Sequence, residues 1–297
     1  MTAATLLHLI AMTEPAEPLP LCLVAAVAHD PAARCPFVVA GRVVGSVARA
    51  HLGALRRWPE VFDPGAEQVT LIAPASQRNA ALATVHEQLR TDGLLLGWRN
   101  ETFPLFDPAT LAPLAHIERA AARFWGCLTL GAHATGFVTG ADGRPAALWI
   151  ARRADDKATD PDLFDNLIGG GVPAGQSALE ALLREGFEEA GLDRALTATA
   201  QPGPVLQMDR DVREGRQLEW LYSFDLELPA GLMPVNQDGE VAGFTLLPVA
   251  DALQLASGAA MTVDAALVTI DFLHRHRCIT GSDIADALRM RRRVQPG

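Results

Sequence analysis

Gly170-Gly-Val-Pro-Ala-Gly-Gln176-Ser-Ala-Leu-Glu180-Ala-Leu-Leu-Arg184-Glu-Gly-Phe-Glu-Glu189-Ala-Gly-Leu192 is the stretch on which the reading of this chain turns. Ser177, followed three residues later by Glu180, is a capping-box signature and sets the start of a helix. Gly191 suits its end, because glycine accepts the left-handed conformation at little cost. Between them Leu179, Leu183, Phe187 and Ala190 fall on one apolar side. Glu185, Glu188 and Glu189, at i, i+3 and i+4, converge on another. Carboxylates packed this closely repel one another unless a cation sits among them, and hard oxygen donors suit Mg²⁺ or Mn²⁺. Arg184 lies four residues from Glu180 and from Glu188 and is expected to pair with both. Gly186 costs the helix interior about 1 kcal/mol relative to alanine, so it either permits close packing or is a tolerated defect. Taken alone the acidic face would be a solvated surface. The preceding Gly169-Gly170-Gly171 turn, the trailing Gly191 and the spacing between them favour a diphosphate-binding site.

The remaining composition narrows the function. At 297 residues and 49% hydrophobic content the chain can bury a substantial core, and two domains are expected. A net charge of −10 argues against a nucleic-acid partner. Cys22, Cys35, Cys127 and Cys278 lack paired spacing and read as reduced thiols of a cytoplasmic protein. No apolar run is long enough to span a bilayer, and the N-terminal apolar runs make a poor secretory signal, so no membrane association is expected. Lys157 is the one lysine among 25 basic residues. Composition favours a lone surface lysine; its place just upstream of the glycine turn makes it a candidate phosphate contact.

Along the chain, Glu14 to Pro20 reads as a proline-rich lead. A hairpin turning at Ala40-Gly41 and helices over about 48–57 and 77–91 make residues 1–115 a small α+β N-terminal domain. Pro104, Pro108 and Pro113 punctuate an expected linker. Residues 116–297 then give a short helix at Ala120–Trp125, strands at 127–138 and 146–151, the segment Leu163–Ile168, and the helix quoted above. Further strands are expected at 205–208, 218–228 and 240–247, and helices at 249–256 and 262–276.

The quoted spacing resembles the Nudix box, whose pattern is G, five residues, E, seven residues, R-E-U-x-E-E-x-G-U, with U aliphatic. Gln176 stands where the pattern has Glu, and Gly186 where it has an aliphatic residue. The resemblance implies an α+β fold, an α/β/α sandwich around a mixed sheet, here preceded by the N-terminal domain. Phe37 to Val47, Glu118 to Gly126, Trp149 to Lys157, Asp165 to Gly171, Asp238 to Val241 and Ile270 to Leu273 are similar to a Nudix subgroup with an extra N-terminal domain. That subgroup is related to Nudix proteins linked to thiamine pyrophosphokinase. It implies hydrolysis of damaged (oxo or oxy) thiamine diphosphates to monophosphates.

By the same resemblance Glu188 and Glu189 bind the divalent metal, with a backbone carbonyl from Gly169 or Gly170 completing its shell. Glu185 is a further ligand or the general base, and Arg184 orients Glu185 or Glu188. Gly170 and Gly171 lie in the phosphate-binding turn. Gln176 cannot be an anionic ligand, so weaker metal binding or slower turnover is expected. Glu240 matches a position where many Nudix proteins place another acidic ligand or base; a solvated turn carboxylate is the rival reading. Asp165 and Asn166 read as structural. Phe124, Trp125, Trp149 and Phe164 could stack on a base, but each singly reads as core. His133 reads as a core histidine. His274 and His276 sit at i and i+2, which do not face each other, and belong to a basic helix end. Ser76 and Ser177 lack a nucleophile's context.

The reading is therefore a Mg²⁺-dependent Nudix pyrophosphohydrolase acting on a small-molecule diphosphate. The alternatives are hydrolysis of a substituted nucleoside diphosphate such as ADP-ribose, or a catalytically silent Nudix-like diphosphate sensor. Leu94-Leu-Leu96, if exposed, would favour a homodimer.

Overall fold

Residues 18–294 are described by the computed structural model, and residues 14–17 of the expected proline-rich lead lie outside them. After α1 (Leu21–Ala25), β1 (Arg34–Val39) and β2 (Arg42–Ala48) form the expected hairpin. Ala40 and Gly41 turn it with φ of 52° and 74°, the paired left-handed conformations that match strand twist. Next come α2 (Leu52–Leu55), β3 (Phe62–Pro64), β4 (Val69–Leu71) and α3 (Arg78–Thr91). The four strands make a sheet ordered β2-β1-β4-β3, in which β1 and β4 run parallel.

The expected linker is a second hairpin, β5 (Thr102–Phe106) with β6 (Pro113–Glu118). In a two-stranded ribbon each strand is an edge, so proline's missing N–H is tolerated at Pro104 and at Pro113, the first residue of β6. α4 (Ala121–Trp125) follows, with Phe124 and Trp125 buried in an apolar core that runs from Cys35 to Cys127. The boundary expected between 115 and 116 thus falls inside β6. Leu95 is buried and Leu94 packs against this same core, while Leu96 is 37% exposed.

The rest of the chain builds the larger sheet. Its elements are β7 (Leu128–Thr139), β8 (Pro145–Arg153), β9 (Phe164–Asp165), β10 (Ile168–Gly171), α5 (Ala178–Ala190) and α6 (Arg194–Thr197). They continue with β11 (Gln201–Val212), β12 (Gly215–Glu227), β13 (Val241–Pro248), α7 (Val249–Ser257), α8 (Val263–Arg275), α9 (Ser282–Arg291) and β14 (Arg292–Arg293). The order is β13-β8-β7-β12-β11-β14, with β7 and β12 parallel and other pairs antiparallel, which makes the sheet mixed. Ala181, Leu182 and Ala190 of α5 pack with Ala132, Ala134 and Trp149. Leu267, Ile270 and Phe272 of α8 pack with Leu148, Ile150 and Leu221 on a separate core. The expected sheet between helix layers is therefore present. Cys22, Leu23 and Ala26 of α1 join that second core, so α1 belongs with the larger sheet although it precedes the smaller one.

One edge of β7 is shared. β8 pairs with residues 136–139 and β10 with residues 131–134, so β10 fills the edge that β8 leaves free. This places the glycine strand beside α5.

Trp125 is fully buried, stacked on Phe37 at 4.4 Å, and its indole N–H donates to His86 Nε2 at 2.8 Å. Only a neutral imidazole accepts that bond, and burial pushes the His86 pKa down to about 3. The unfolded chain binds this proton near the ordinary histidine value, so the stability contribution is complete above it and declines as pH falls towards the folded pKa. The decline is about 1.4 kcal/mol per pH unit. His86→Gln keeps an acceptor but no titration. Urea unfolding should show it less stable than wild type at neutral pH, with the gap closing towards pH ~4; a pH-independent gap would contradict this account.

Candidate functional site

The sequence signals at the ends of α5 are realised. Ser177 Oγ accepts from the Glu180 amide at 3.2 Å, and the Glu180 carboxylate accepts from the Ser177 amide at 2.8 Å. Glu180 is thereby committed to the cap and does not pair with Arg184 as expected. Gly191 ends the helix at φ 63°, with the Leu192 amide returning to the Gly186 carbonyl at 2.9 Å. The apolar side is corrected: Leu183 and Ala190 are buried, but Leu179 and Phe187 are 43% and 58% exposed. The inward face is instead Ala181, Leu182, Gly186 and Glu189, because the carboxylates and the glycine need the sheet side. A β-carbon on Gly186 would lie 3.0 Å from Thr197 on α6 and 3.1 Å from Ile168 on β10, so this glycine permits close packing.

Glu189 is 7% exposed and accepts the Gly169 N–H at 2.9 Å. Glu185 lies against Gly170, where a β-carbon would collide with its carboxylate. Arg184 spans the acidic face, donating to Glu188 Oε2 and ion-paired with Glu185 Oε1, each at 2.8 Å. Its Nε reaches the Gln176 side-chain oxygen at 3.5 Å, so the neutral Gln176 still helps seat the arginine. Glu188 is partly exposed and held outward by Arg184, so convergence of all three carboxylates is incomplete. Among the described residues no three His, Cys, Asp or Glu side chains form a ready-made metal cluster.

The electrostatics nonetheless suit a hard cation. Burial, together with the charges of Glu185 and Asp165, holds the Glu189 carboxyl well above its usual range, against the Gly169 N–H and Lys157. Glu185 is raised by burial and by Glu188, with Arg184 opposing. The buried Glu189 and the largely covered Glu185 in mutual repulsion, with a third carboxylate next to Glu189, fit a divalent ion.

Lys157 is not the surface lysine composition favours. Its side chain is 9% exposed, and its ammonium pairs with Glu240, whose other oxygen lies 4.0 Å from Arg99. Glu240 is therefore an ion-pair partner at the rim, not a freely solvated turn residue. Burial and the charge of Arg153 lower the Lys157 pKa to about 8, with Glu189 opposing and Arg99 and Arg119 adding to the fall. Asp165 accepts from Arg153 at 2.8 Å, while Asn166 donates to Thr269 Oγ1 at 3.0 Å and lies 3.1 Å from His133 Nδ1. These three are structural, as expected. So are Phe124, Trp125 and Trp149, all buried, and Phe164, which packs on the second core. His276 sits at the α8 terminus against Asp225 at 2.9 Å.

The sequence reading missed Arg119, which the N-terminal unit brings beside Gly171, and Arg99, which it brings near Glu240. Arg119 lies within the 118–126 stretch already singled out; Arg99 carries no local signal.

With this geometry in place, a family model described as the NUDIX domain matches residues 129–265, and one described as a domain of unknown function (DUF4743) matches residues 22–129. The chain is 36% identical over 251 residues to "Nudix hydrolase 24, chloroplastic" of Arabidopsis thaliana, covering 82% of this chain and 68% of the relative. It is 37% identical over 259 residues to "Nudix hydrolase 20, chloroplastic" of the same plant, covering 81% and 67%. The crystal structure of DR0079 from Deinococcus radiodurans superposes with a TM-score of 0.43 at 22% identity, covering 57% of this chain and 97% of that one.

Gly170→Ala should push the Glu185 carboxylate out of place and weaken Mn²⁺ binding by about 10- to 100-fold, measured by calorimetric titration. Unchanged affinity would remove Glu185 from the metal site.

Proposed function

The chain belongs to the Nudix hydrolase family, and on that premise we propose that it is a divalent-metal-dependent pyrophosphohydrolase of a small-molecule diphosphate. The observation that carries this is the buried Glu185–Glu189 pair set against the Gly169–Gly171 strand on a doubly capped helix. Glu185, Glu188 and Glu189, with the Gly169 carbonyl, would hold the ion, Mg²⁺ being the proposed species and Mn²⁺ its substitute. When bound, such an ion neutralises diphosphate charge and lowers the pKa of water.

The chain's own residues do the rest. Arg184 keeps Glu185 and Glu188 oriented. Glu185, buried and raised in pKa, is placed to take a proton from the attacking water. Lys157, nearly desolvated, offers a point charge to a phosphate oxygen once Glu240 yields it. Positioning and charge stabilisation suffice for this chemistry, since phosphoryl transfer demands little covalent work of the protein.

Within that class we place a damaged thiamine diphosphate as the substrate, cleaved to the monophosphate; the similarity of scattered stretches to the thiamine-associated subgroup supports it. Phosphate release with Mg²⁺ from oxothiamine diphosphate, thiamine diphosphate and ADP-ribose (the last coupled to a phosphatase) tests it. Preferential cleavage of the oxidised thiamine compound is expected, with loss of turnover in chelator. Preference for ADP-ribose would move the substrate to substituted nucleoside diphosphates. No turnover of any, with metal and folding verified, would leave a diphosphate sensor. Glu185→Gln should lower kcat about 10²- to 10⁴-fold with metal affinity reduced less, if the carboxylate is the base.

A further inference from the structure

The smaller sheet's unit does not merely precede the site. Thr102, on β5, accepts the Ala174 amide at 3.1 Å, so the turn between β10 and α5 is fastened to the N-terminal hairpin by main chain. Beside that bond, a β-carbon on Gly171 would meet the Phe103 ring at 2.7 Å and the Arg119 guanidinium carbon at 3.5 Å. Gly171 thus lets the hairpin close directly on the glycine strand. Arg119, adjacent to the end of β6, lies over Phe103 at 5.4 Å and also lines a cavity of about 60 Å³ shared with Gly171 and Thr129. Its Nη1 donates to Glu101 at 2.8 Å. Arg99 comes from the loop before β5: its amide is held by Glu118 at 2.9 Å and its guanidinium approaches Glu240, the partner of Lys157, at 4.0 Å.

Arg99 and Arg119, from the N-terminal unit, therefore stand near Lys157, Glu240 and Glu185 of the other, with Lys157 paired to Glu240 within its own unit. Arg119 has Glu101 as its partner, and Lys157 and Arg99 share Glu240. A dication on Glu185 and Glu189 offsets those two carboxylates, which leaves the three cations in excess over Glu101 and Glu240. An anionic ligand beside the metal matches that excess. Arginine's planar fork suits phosphate oxygens better than a point charge does.

We propose that Arg99 and Arg119 form a phosphate clamp, contributed by the N-terminal unit, that grips the substrate's diphosphate opposite the α5 carboxylates. This deepens the hydrolase reading and rests on its placement of the diphosphate. It assigns the unit matched by the domain of unknown function a direct part in substrate binding.

The test uses the full chain and methylenediphosphonate, a diphosphate that cannot be hydrolysed, titrated in the presence of Mn²⁺, with Mn²⁺ alone followed in parallel. Arg99→Ala and Arg119→Ala should each weaken methylenediphosphonate binding about tenfold or more while Mn²⁺ affinity stays within about twofold. Arg119→Lys should recover part of the loss. Glu101→Gln removes the arginine's protein partner but keeps the arginine, so its affinity should hold or tighten. Unchanged affinity in both alanine variants would overturn the clamp. So would a loss in Glu101→Gln equal to that in Arg119→Ala, which would make Arg119 a packing residue. Wild-type protein that binds methylenediphosphonate with Mn²⁺ yet cleaves no diphosphate would support the clamp and refute the hydrolase. Absence of binding in the wild type would overturn the clamp even if turnover is seen.

Discussion

A carboxylate with almost no water around it organises this site. Glu189 can stay on the inner face of α5 because the Gly169 amide meets it and Lys157 stands near. Burying a charge without such partners is costly, so the helix, the glycine strand and the loop bearing Lys157 are bound to one arrangement. Gly186 follows from the same constraint: with α5 drawn close enough for Glu189 to reach β10, a β-carbon there would crowd Thr197 on α6 and Ile168. The two departures from the family pattern then differ in kind. Gly186 is a packing adjustment, and Gln176 keeps a neutral hold on Arg184.

Contact between the N-terminal unit and the glycine turn is the second constraint on the site. The β5–β6 hairpin reaches the glycine turn through the Thr102–Ala174 bond and through Phe103 against Gly171. A unit with its own sheet and its own core thereby packs against the glycine strand. Burial and Arg153 lower the Lys157 pKa most, and the charges of Arg99 and Arg119 add to the fall.

Much of this was legible in the sequence because it is local. The capping box at Ser177, the glycine stop at 191, the hairpin at Ala40-Gly41 and the strand–strand–helix order all rest on short-range spacing. What escaped depends on distant partners. Leu179 and Phe187 look like core on a helical wheel, yet the carboxylates claim the inner face. Lys157 looks like a surface residue until Glu240, 83 positions away, is folded against it. Prolines at 104 and 113 suggest a linker, and only the pairing of Pro104 with His116 shows a ribbon that tolerates them. Arg99 has no local pattern at all.

The placement of α1 has a consequence for how the chain comes to be folded. Cys22 and Leu23 complete a core whose other members include Phe272 and Leu288, and Arg291 donates to the Leu23 carbonyl at 2.5 Å. During synthesis from the N-terminus, the smaller sheet has all its residues long before α1 has a partner. The first described helix to leave the ribosome must wait for the last, its apolar residues uncovered meanwhile. Such sequence-distant closure slows folding and lengthens the interval in which a nascent chain is open to misassociation.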